Sequence, residues 1–374
     1  MINSQFHVAF HLYGLHGGGA ERVIVNLANS FVERGIKVDI ILNYLAGSYL
    51  SQVSSKVRLI NLKSARGRDG FGILQLTNYL RKEQPDVLLA TTHYSNERAI
   101  LAKWLSGSST KVFVREANHL LMRAKYEPQK TIRMTPLTTR LSYPWADGII
   151  AVCNGVADNL AEITGLSSER IQVIYNPTIT PQLLLKAQET IEHPWFKSGE
   201  PPVILGVGRH TKQKDFPTLI RAFAKIREVR PARLMILGQA WNNPDSQVMS
   251  LIKDLNLETE VALPGFQKNP YPYMAQASVF VLSSRWEGLS NALLEAMALG
   301  TPVVATDCPG GSAEILGNGE YGELVPVGDC EAMAQAILKI LSGDVKSVPS
   351  DWLKQFTLET AMAKYLDILG IAKN

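Results

Sequence analysis

HVAFHLYGLHGGGAERVIVNLANSFVERGIKVDIIL, residues 7–42, decides the fold. Its first run, HVAFHLY, is apolar and β-branched enough for a buried strand. Ala20–Arg34 carries apolar residues at helical spacing and stops at Gly35, and KVDIIL from Lys37 is a second buried strand. Strand, helix, strand in that order predicts a parallel βαβ unit. Outward from it the alternation continues through DVLLATT from Asp86, KVFVRE from Lys111, GIIAVC from Gly148 and IQVIYNP from Ile171. A polar, proline-containing passage, Thr178–Pro202, interrupts the pattern. It then restarts as PVILGVGR, ARLMILG, VALPG, SVFVLSS, PVVATD and GELVP. A single eight-fold barrel would need evenly spaced strands and no such linker. The expectation is an α/β protein of two doubly wound Rossmann-like domains facing across a cleft. The first spans 1–190, the second 191–355, and 356–374 forms a terminal helix packing back on the first. Ligands of open parallel sheets bind outside the carboxyl ends of the strands, so the chemistry is expected in loops that follow strands.

Composition narrows the function classes. At 374 residues, with 46% hydrophobic and 19% charged residues, the chain is long enough for two cores and too apolar for a disordered protein. No apolar run approaches the roughly 18–20 residues needed to span a bilayer. The start, MINSQFHVAFHLYG, lacks the basic and apolar regions of an export signal. Cys153, Cys308 and Cys330 are too few and too scattered for a disulfide framework or a zinc site. A reducing cytoplasmic setting is expected, with room for peripheral attachment at the inner face of a membrane. Net charge is +4, but residues 1–190 hold 21 Lys and Arg against 14 Asp and Glu, whereas 191–374 hold 17 against 20. Most of the excess lies between Lys111 and Arg140, where Arg115, Arg123, Lys125, Lys130 and Arg133 join them against Glu116 and Glu127. Two readings stand: a solvated helix face, or a patch drawn to anionic lipid or an anionic acceptor. Nucleic acid is not expected, because no recognition motif with interleaved aromatics accompanies these cations.

The first loop, Gly14-Leu15-His16-Gly17-Gly18-Gly19-Ala20-Glu21, joins a strand to a helix, and its glycines let backbone N–H groups approach a phosphate. A plain tight turn has the same composition. A dinucleotide site would need an acid at the end of the second strand, yet Asp39 stands near its beginning and Asn43 at its end. In Gly206-Val207-Gly208-Arg209-His210-Thr211-Lys212-Gln213-Lys214, two cations, Arg209 and Lys214, follow a strand and suit a diphosphate. In SSRWEGLSNALLEAMALGTP, residues 283–302, a helix starts after the N-cap residue Ser290 and stops at Gly300 and Pro302. Its first N–H groups, around Asn291, can hold an anion beside the loop carrying Glu287. Glu295 lies about 6 Å further along the axis, inside the apolar run ALLEAMAL, a costly place for an idle charge. A carboxylate accepts vicinal hydroxyls in pairs, as a ribose or a hexose presents them.

Taken in order and spacing, these residues resemble a retaining glycosyltransferase of the GT-B fold, in family GT4, over nearly the whole chain. Glu287 and Glu295 match its two glutamates separated by seven residues, Arg209 and Lys214 its phosphate pair, and Gly18-Gly19-Ala20-Glu21 its first loop. The resemblance implies that Glu287 contacts the transferred sugar and Glu295 the ribose, while Gly265 and Phe266 border the base. Gly18, Gly19, Leu289, Ser290 and Asn291 complete the donor site. Cys308-Pro309-Gly310-Gly311-Ser312-Ala313-Glu314-Ile315 is similar to bacterial polysaccharide and lipid-linked oligosaccharide members. The expected reaction moves a hexose or N-acetylhexosamine from a nucleotide diphosphate sugar, expected to be a UDP-sugar, to a hydroxyl of a glycan or lipid-linked acceptor, with retention. No metal or other cofactor is expected, since Arg209, Lys214 and the helix start supply the positive charge and no Asp-x-Asp appears.

Departures from the family pattern are equally specific. Where many members carry a histidine near the sugar after the fourth strand, this chain reads Arg115-Glu116-Ala117-Asn118-His119. Glu116 and Asn118 align there, and His119 comes late, as an acceptor-side or catalytic candidate or as a helix cap. Gly238-Gln239-Ala240-Trp241 replaces a common Gly-x-Gly. Cys153 takes a serine position and does not resemble a nucleophile. A GDP-mannose donor, a phosphorylase on the same fold and a non-catalytic scaffold are the alternatives.

Overall fold

The computed structural model describes residues 6–64, 69–238 and 245–371. It divides into two units, Met1–Pro177 with Phe356–Asn374, and Thr178–Gln355. Among the described residues each unit holds one all-parallel sheet. The first contains β1 (His7–Leu12), β2 (Lys37–Leu42), β3 (Arg58–Asn61), β4 (Val87–Thr91), β5 (Lys111–Glu116), β6 (Gly148–Ala151) and β7 (Ile171–Val173), in the order β3-β2-β1-β4-β5-β6-β7. The second contains β8 (Val203–Val207), β9 (Arg233–Leu237), β10 (Val261–Gly265), β11 (Val279–Leu282), β12 (Val303–Thr306) and β13 (Glu323–Val325), in the order β10-β9-β8-β11-β12-β13. Both are Rossmann-like. Strands covered on both faces need apolar residues at nearly every position, and β4 and β11 are buried from end to end.

The opening βαβ unit shows how sequence becomes packing. The Gly19–Glu33 helix turns Ile24, Leu27 and Phe31 inward, and all three are fully buried in one core with Val8, Phe10 and Leu89. Each such side chain stabilises the unit by roughly 1.5–3 kcal/mol before ordering costs are counted. The helix ends where Gly35 adopts φ +78°. The end of the chain joins the same core: Ala361, Met362 and Tyr365 of the Leu358–Ile368 helix and Leu369 at its C-cap pack into it, and the Phe356 ring lies 5.0 Å from Tyr175.

One feature differs from the sequence reading. The chain passes from one unit to the other at Pro177, not near residue 190. The Pro181–Lys186 helix belongs with the second unit because it packs on the Tyr271–Gln276 helix and Asn269 Nδ2 donates to the Lys186 carbonyl at 2.9 Å. Asp39, near the start of β2, is a buried hub. It accepts from His7 Nε2 at 3.0 Å, from Arg58 Nε at 2.9 Å and from the Tyr79 hydroxyl, and Arg58 also meets Glu83 at 2.6 Å. Burial by itself raises this carboxyl, but the hydrogen bonds from His7, Arg58 and Tyr79 outweigh it and hold Asp39 well below the usual carboxylate range. His7 and Arg58 begin their strands, so the hub lies toward the amino ends of the sheet, away from the expected ligand side.

Candidate active site

In the second sheet the chain runs outward from β8 to β9 and β10, then returns to β11 and continues the other way. The strand order therefore reverses between β8 and β11, and the loops leaving those two strands carry Arg209–Lys214 and Ser283–Ser290. They meet. Lys214 Nζ donates to Glu287 Oε1 at 2.6 Å, and Ser284 Oγ donates to the same oxygen at 2.6 Å. The Glu287 side chain keeps 8% of its surface and that of Lys214 18%, so the pair is largely withdrawn from solvent. Gly208 makes room for it: a Cβ there would sit 3.0–3.1 Å from Cγ, Cδ and Cε of Lys214. Further bonds stitch the loops together, with Gln213 Nε2 donating to the Trp286 carbonyl at 3.0 Å and Ser283 Oγ to the Lys214 carbonyl at 2.7 Å.

A third loop, after β12, props Glu287 from behind. The Glu287 N–H donates to the Pro309 carbonyl at 3.0 Å, and the Gly311 N–H to the Gly288 carbonyl at 2.8 Å. Gly310 has φ +127°, and a Cβ on it would fall 2.4 Å from the Glu287 carbonyl oxygen. Only glycine fits there. Burial, then the Glu287 charge, pushes the neighbouring Cys308 thiol up to about 12, which leaves it protonated and inert.

Just past this pair, Ser290 caps the Asn291–Ala298 helix, its hydroxyl accepting from the Leu293 N–H at 3.5 Å. Asn291 Oδ1 accepts from Thr178 Oγ1 at 3.1 Å, and Leu289 is buried. Glu295 is buried as well, with the Tyr271 hydroxyl 3.5 Å from its Oε1. Arg209 is exposed on the loop after β8. Gly265 ends β10 at the edge of the sheet, its carbonyl accepting from the Gly238 N–H at 3.0 Å, and the Phe266 ring beyond it is half exposed. Gln239, Ala240 and Trp241 lie outside the described residues. The arrangement sets a cation, a desolvated carboxylate and a helix N-terminus side by side, complementary to a molecule carrying both phosphate and hydroxyl groups.

In the first unit the order reverses between β1 and β4. Gly18 is the N-cap of the Gly19–Glu33 helix, but its N–H donates to Glu21 Oε2 at 2.8 Å, so the chain's own carboxylate holds the amide expected to meet a phosphate. At the end of β5, Glu116 is buried, accepting from the Tyr143 hydroxyl at 2.8 Å and from the Ala117 N–H at 3.0 Å. Burial pushes its carboxyl up to about 7 against those hydrogen bonds. Asn118 Oδ1 accepts from the His119 N–H at 2.9 Å, and His119 Nδ1 caps the Leu120–Tyr126 helix, 3.4 Å from the Met122 N–H. In this structure His119 serves as that helix's cap.

The basic segment is not one strip. Arg115 is fully buried, donating to Thr91 Oγ1 at 2.9 Å and to Asn176 Oδ1, because β5 is an interior strand with both faces covered. Arg123 turns inward to Glu127 and to His93 Nδ1, each at 3.1 Å. His93, which the sequence reading passed over, follows the strained Thr92 (φ +71°) at the end of β4. Burial, helped by the Arg123 charge, pushes its imidazole down to about 3, so it stays neutral with the ring proton on Nε2. Its signal was a histidine directly behind the strand DVLLATT.

Two family models divide the chain between them, "Glycosyltransferase Family 4" over residues 17–180 and "Glycosyl transferases group 1" over 201–343. The chain belongs to the family 4 glycosyltransferases. Similar curated members include a Campylobacter jejuni 4-alpha-N-acetylgalactosaminyltransferase acting on a diacetylbacillosaminyl-diphospho-undecaprenol glycan, 29% identical over 89% of each chain. The Rhizobium meliloti lipopolysaccharide core glycosyltransferase LpsE is 29% identical over 96% of this chain and 98% of its own. Anabaena HepE, solved with UDP-glucose, shares the GT-B fold with a TM-score of 0.79 at 19% identity, over 98% of this chain and all of its own. In this glycosyltransferase, sequence reasoning missed the contacts of Ser284 and Gly310 with Glu287 and of His93 with Arg123, and such contacts are set by the folded chain.

Proposed function

We propose that this glycosyltransferase moves a hexose or N-acetylhexosamine from a UDP-sugar to a hydroxyl of a lipid-linked glycan, with retention of anomeric configuration and without a metal. The observation that carries this reading is the Lys214–Glu287 pair beside the Ser290-capped helix, at the point where the strand order reverses. Lys214 and Arg209 meet the diphosphate, and fixed charge there lowers the barrier as electrons pass to the departing phosphate. Glu287 turns its carboxylate to the sugar hydroxyls, held by Ser284 and the Gly310 loop, while Glu295 takes the ribose. The bond from the anomeric carbon to phosphate breaks as the acceptor oxygen bonds the same face, and the acceptor proton passes to the released phosphate oxygen. Relatives named for undecaprenol-linked and lipopolysaccharide glycans support the acceptor class, and a fold neighbour solved with UDP-glucose supports the donor. The first unit takes the acceptor in this reading, and a lipid-linked acceptor puts the reaction at a bilayer surface.

Mass spectrometry tests the donor without a known acceptor, by scoring slow hydrolysis of UDP-glucose, UDP-galactose, their N-acetyl forms and GDP-mannose, with and without EDTA. One UDP-sugar cleaved, unaffected by chelator, is expected, with early proton NMR of the released sugar showing the α-anomer before it mutarotates. Cleavage of GDP-mannose alone, a β-product or abolition by EDTA would each overturn the corresponding part of the proposal.

A further inference from the structure

Seven large apolar side chains that the described structure leaves exposed lie on one face of the first unit. Leu101, Trp104 and Leu105 project from the last two turns of the His93–Ser106 helix, with Trp104 76% exposed. Met134, Leu137 and Leu141 recur at three- and four-residue spacing along the Thr135–Ser142 helix and its cap, and Trp145, 74% exposed, follows in the next turn. The two helices are neighbours. Thr138 Oγ1 donates to Glu97 Oε1 at 2.5 Å, and Lys103 pairs with Asp147 just past Trp145. Exposed Lys130, Arg133 and Arg140 lie on or beside the second helix, among its apolar residues. Of the carboxylates on these elements, Glu97 accepts from Thr138, Asp147 pairs with Lys103 and Glu127 pairs with Arg123.

Two exposed tryptophans, a leucine ridge and an excess of cations form a composition that water does not favour and that the headgroup boundary of an anionic bilayer does. We infer that this face, formed by residues 101–105 and 130–145, docks the protein on anionic membrane with both indoles in the interfacial layer. The inference replaces the strip from Lys111 to Arg140 as first read. Arg115 and Arg123 drop out because they are bonded inside the unit, and Trp104, seven residues before that strip begins, comes in. It names the membrane partner for the proposed lipid-linked acceptor, yet it stands on this surface alone and needs no donor chemistry.

Flotation of the full chain with vesicles of phosphatidylcholine, with or without phosphatidylglycerol, tests it, together with quenching of tryptophan fluorescence by brominated lipid. Binding to the anionic vesicles is expected. The pair Trp104→Ser with Trp145→Ser, and separately Leu137→Ser with Leu141→Ser, should weaken it at least ~10-fold. Lys130→Glu, Arg133→Glu and Arg140→Glu together should weaken it ~30-fold or more. Unchanged flotation in these variants, or no flotation of the wild type, overturns the inference. A dimer in light scattering that the tryptophan variants dissociate overturns it in favour of a second copy of the chain. Melting temperature confirms that each variant folds. Calorimetry with UDP separates the two proposals, because loss of UDP binding by the wild type strikes the donor reading and leaves the lipid result standing.

Discussion

Replacing Gly310 by alanine should damage catalysis far more than stability. The added Cβ would lie 2.4 Å from the Glu287 carbonyl oxygen and 3.0 Å from that of Gly288, in a backbone conformation with φ +127°. Restoring an ordinary contact of about 3.4 Å requires the Glu287 backbone or the Gly310 loop to give way by roughly 1 Å. Misplacement on the order of 1 Å at a group that positions substrate costs about 100-fold in rate. The backbone conformation adds a separate loss of about 1–2 kcal/mol in stability. Gly328 provides the control, having φ +80° and nothing within 4 Å of an added Cβ. Gly328→Ala should lose similar stability and keep its turnover. Initial rates of UDP release under saturating donor, with urea melts of both variants, read the two effects apart. If Gly310→Ala retains kcat within threefold of wild type, the loop after β12 does not position Glu287 for the reaction and the assignment of that carboxylate to the sugar fails.

Three further outcomes follow from the same structure. Lys214→Gln removes a largely buried cation 2.6 Å from Glu287 and should lower kcat about 100–1000-fold, whereas equal turnover in a donor assay would remove the diphosphate role of Lys214. Asp39→Asn breaks a fully buried carboxylate hub and should cost about 3 kcal/mol in chemical denaturation. Because the Asp39 carboxyl is held low in the folded state, its stabilisation is present above about pH 4, the unfolded value, and is lost as pH falls further, so the variant should flatten the acid limb of a Tm against pH curve. Glu116 carries the opposite sign. Burial raises its carboxyl to about 7, so folding favours its protonated form and stability falls as pH rises from about 4.5 to 7. Glu116→Gln should therefore gain on the order of 1–3 kcal/mol relative to wild type at pH 8 and nothing near pH 4, as read by melts at both values.

Much of the fold was legible in sequence because a parallel strand covered on both faces must be apolar along its length, as in DVLLATT and SVFVLSS. Linker placement was less legible. Thr178–Pro202 reads along the chain as one polar, proline-containing passage, and only the packing of Pro181–Lys186 on its neighbour assigns that part to the second unit. In the site, Lys214 and Glu287 could be picked out because a cation and a carboxylate each follow a strand at its carboxyl end. His119 was ambiguous because capping and catalysis ask for the same side chain at the same kind of position.

By itself, then, the sequence determined the two sheets, the loops that carry the charged residues and the family to which the chain belongs, since these rest on periodicity and on spacing along one strand, one turn or one helix. Only the tertiary structure decided which of those residues touch. It joined Lys214 to Glu287 across 73 positions, buried Arg115 and set Gly310 against the Glu287 backbone. It also gathered Trp104 and Trp145 onto one surface. Side-chain neighbours across a sheet or between helices depend on strand order and helix packing, and those are properties of the whole folded unit that no local pattern encodes.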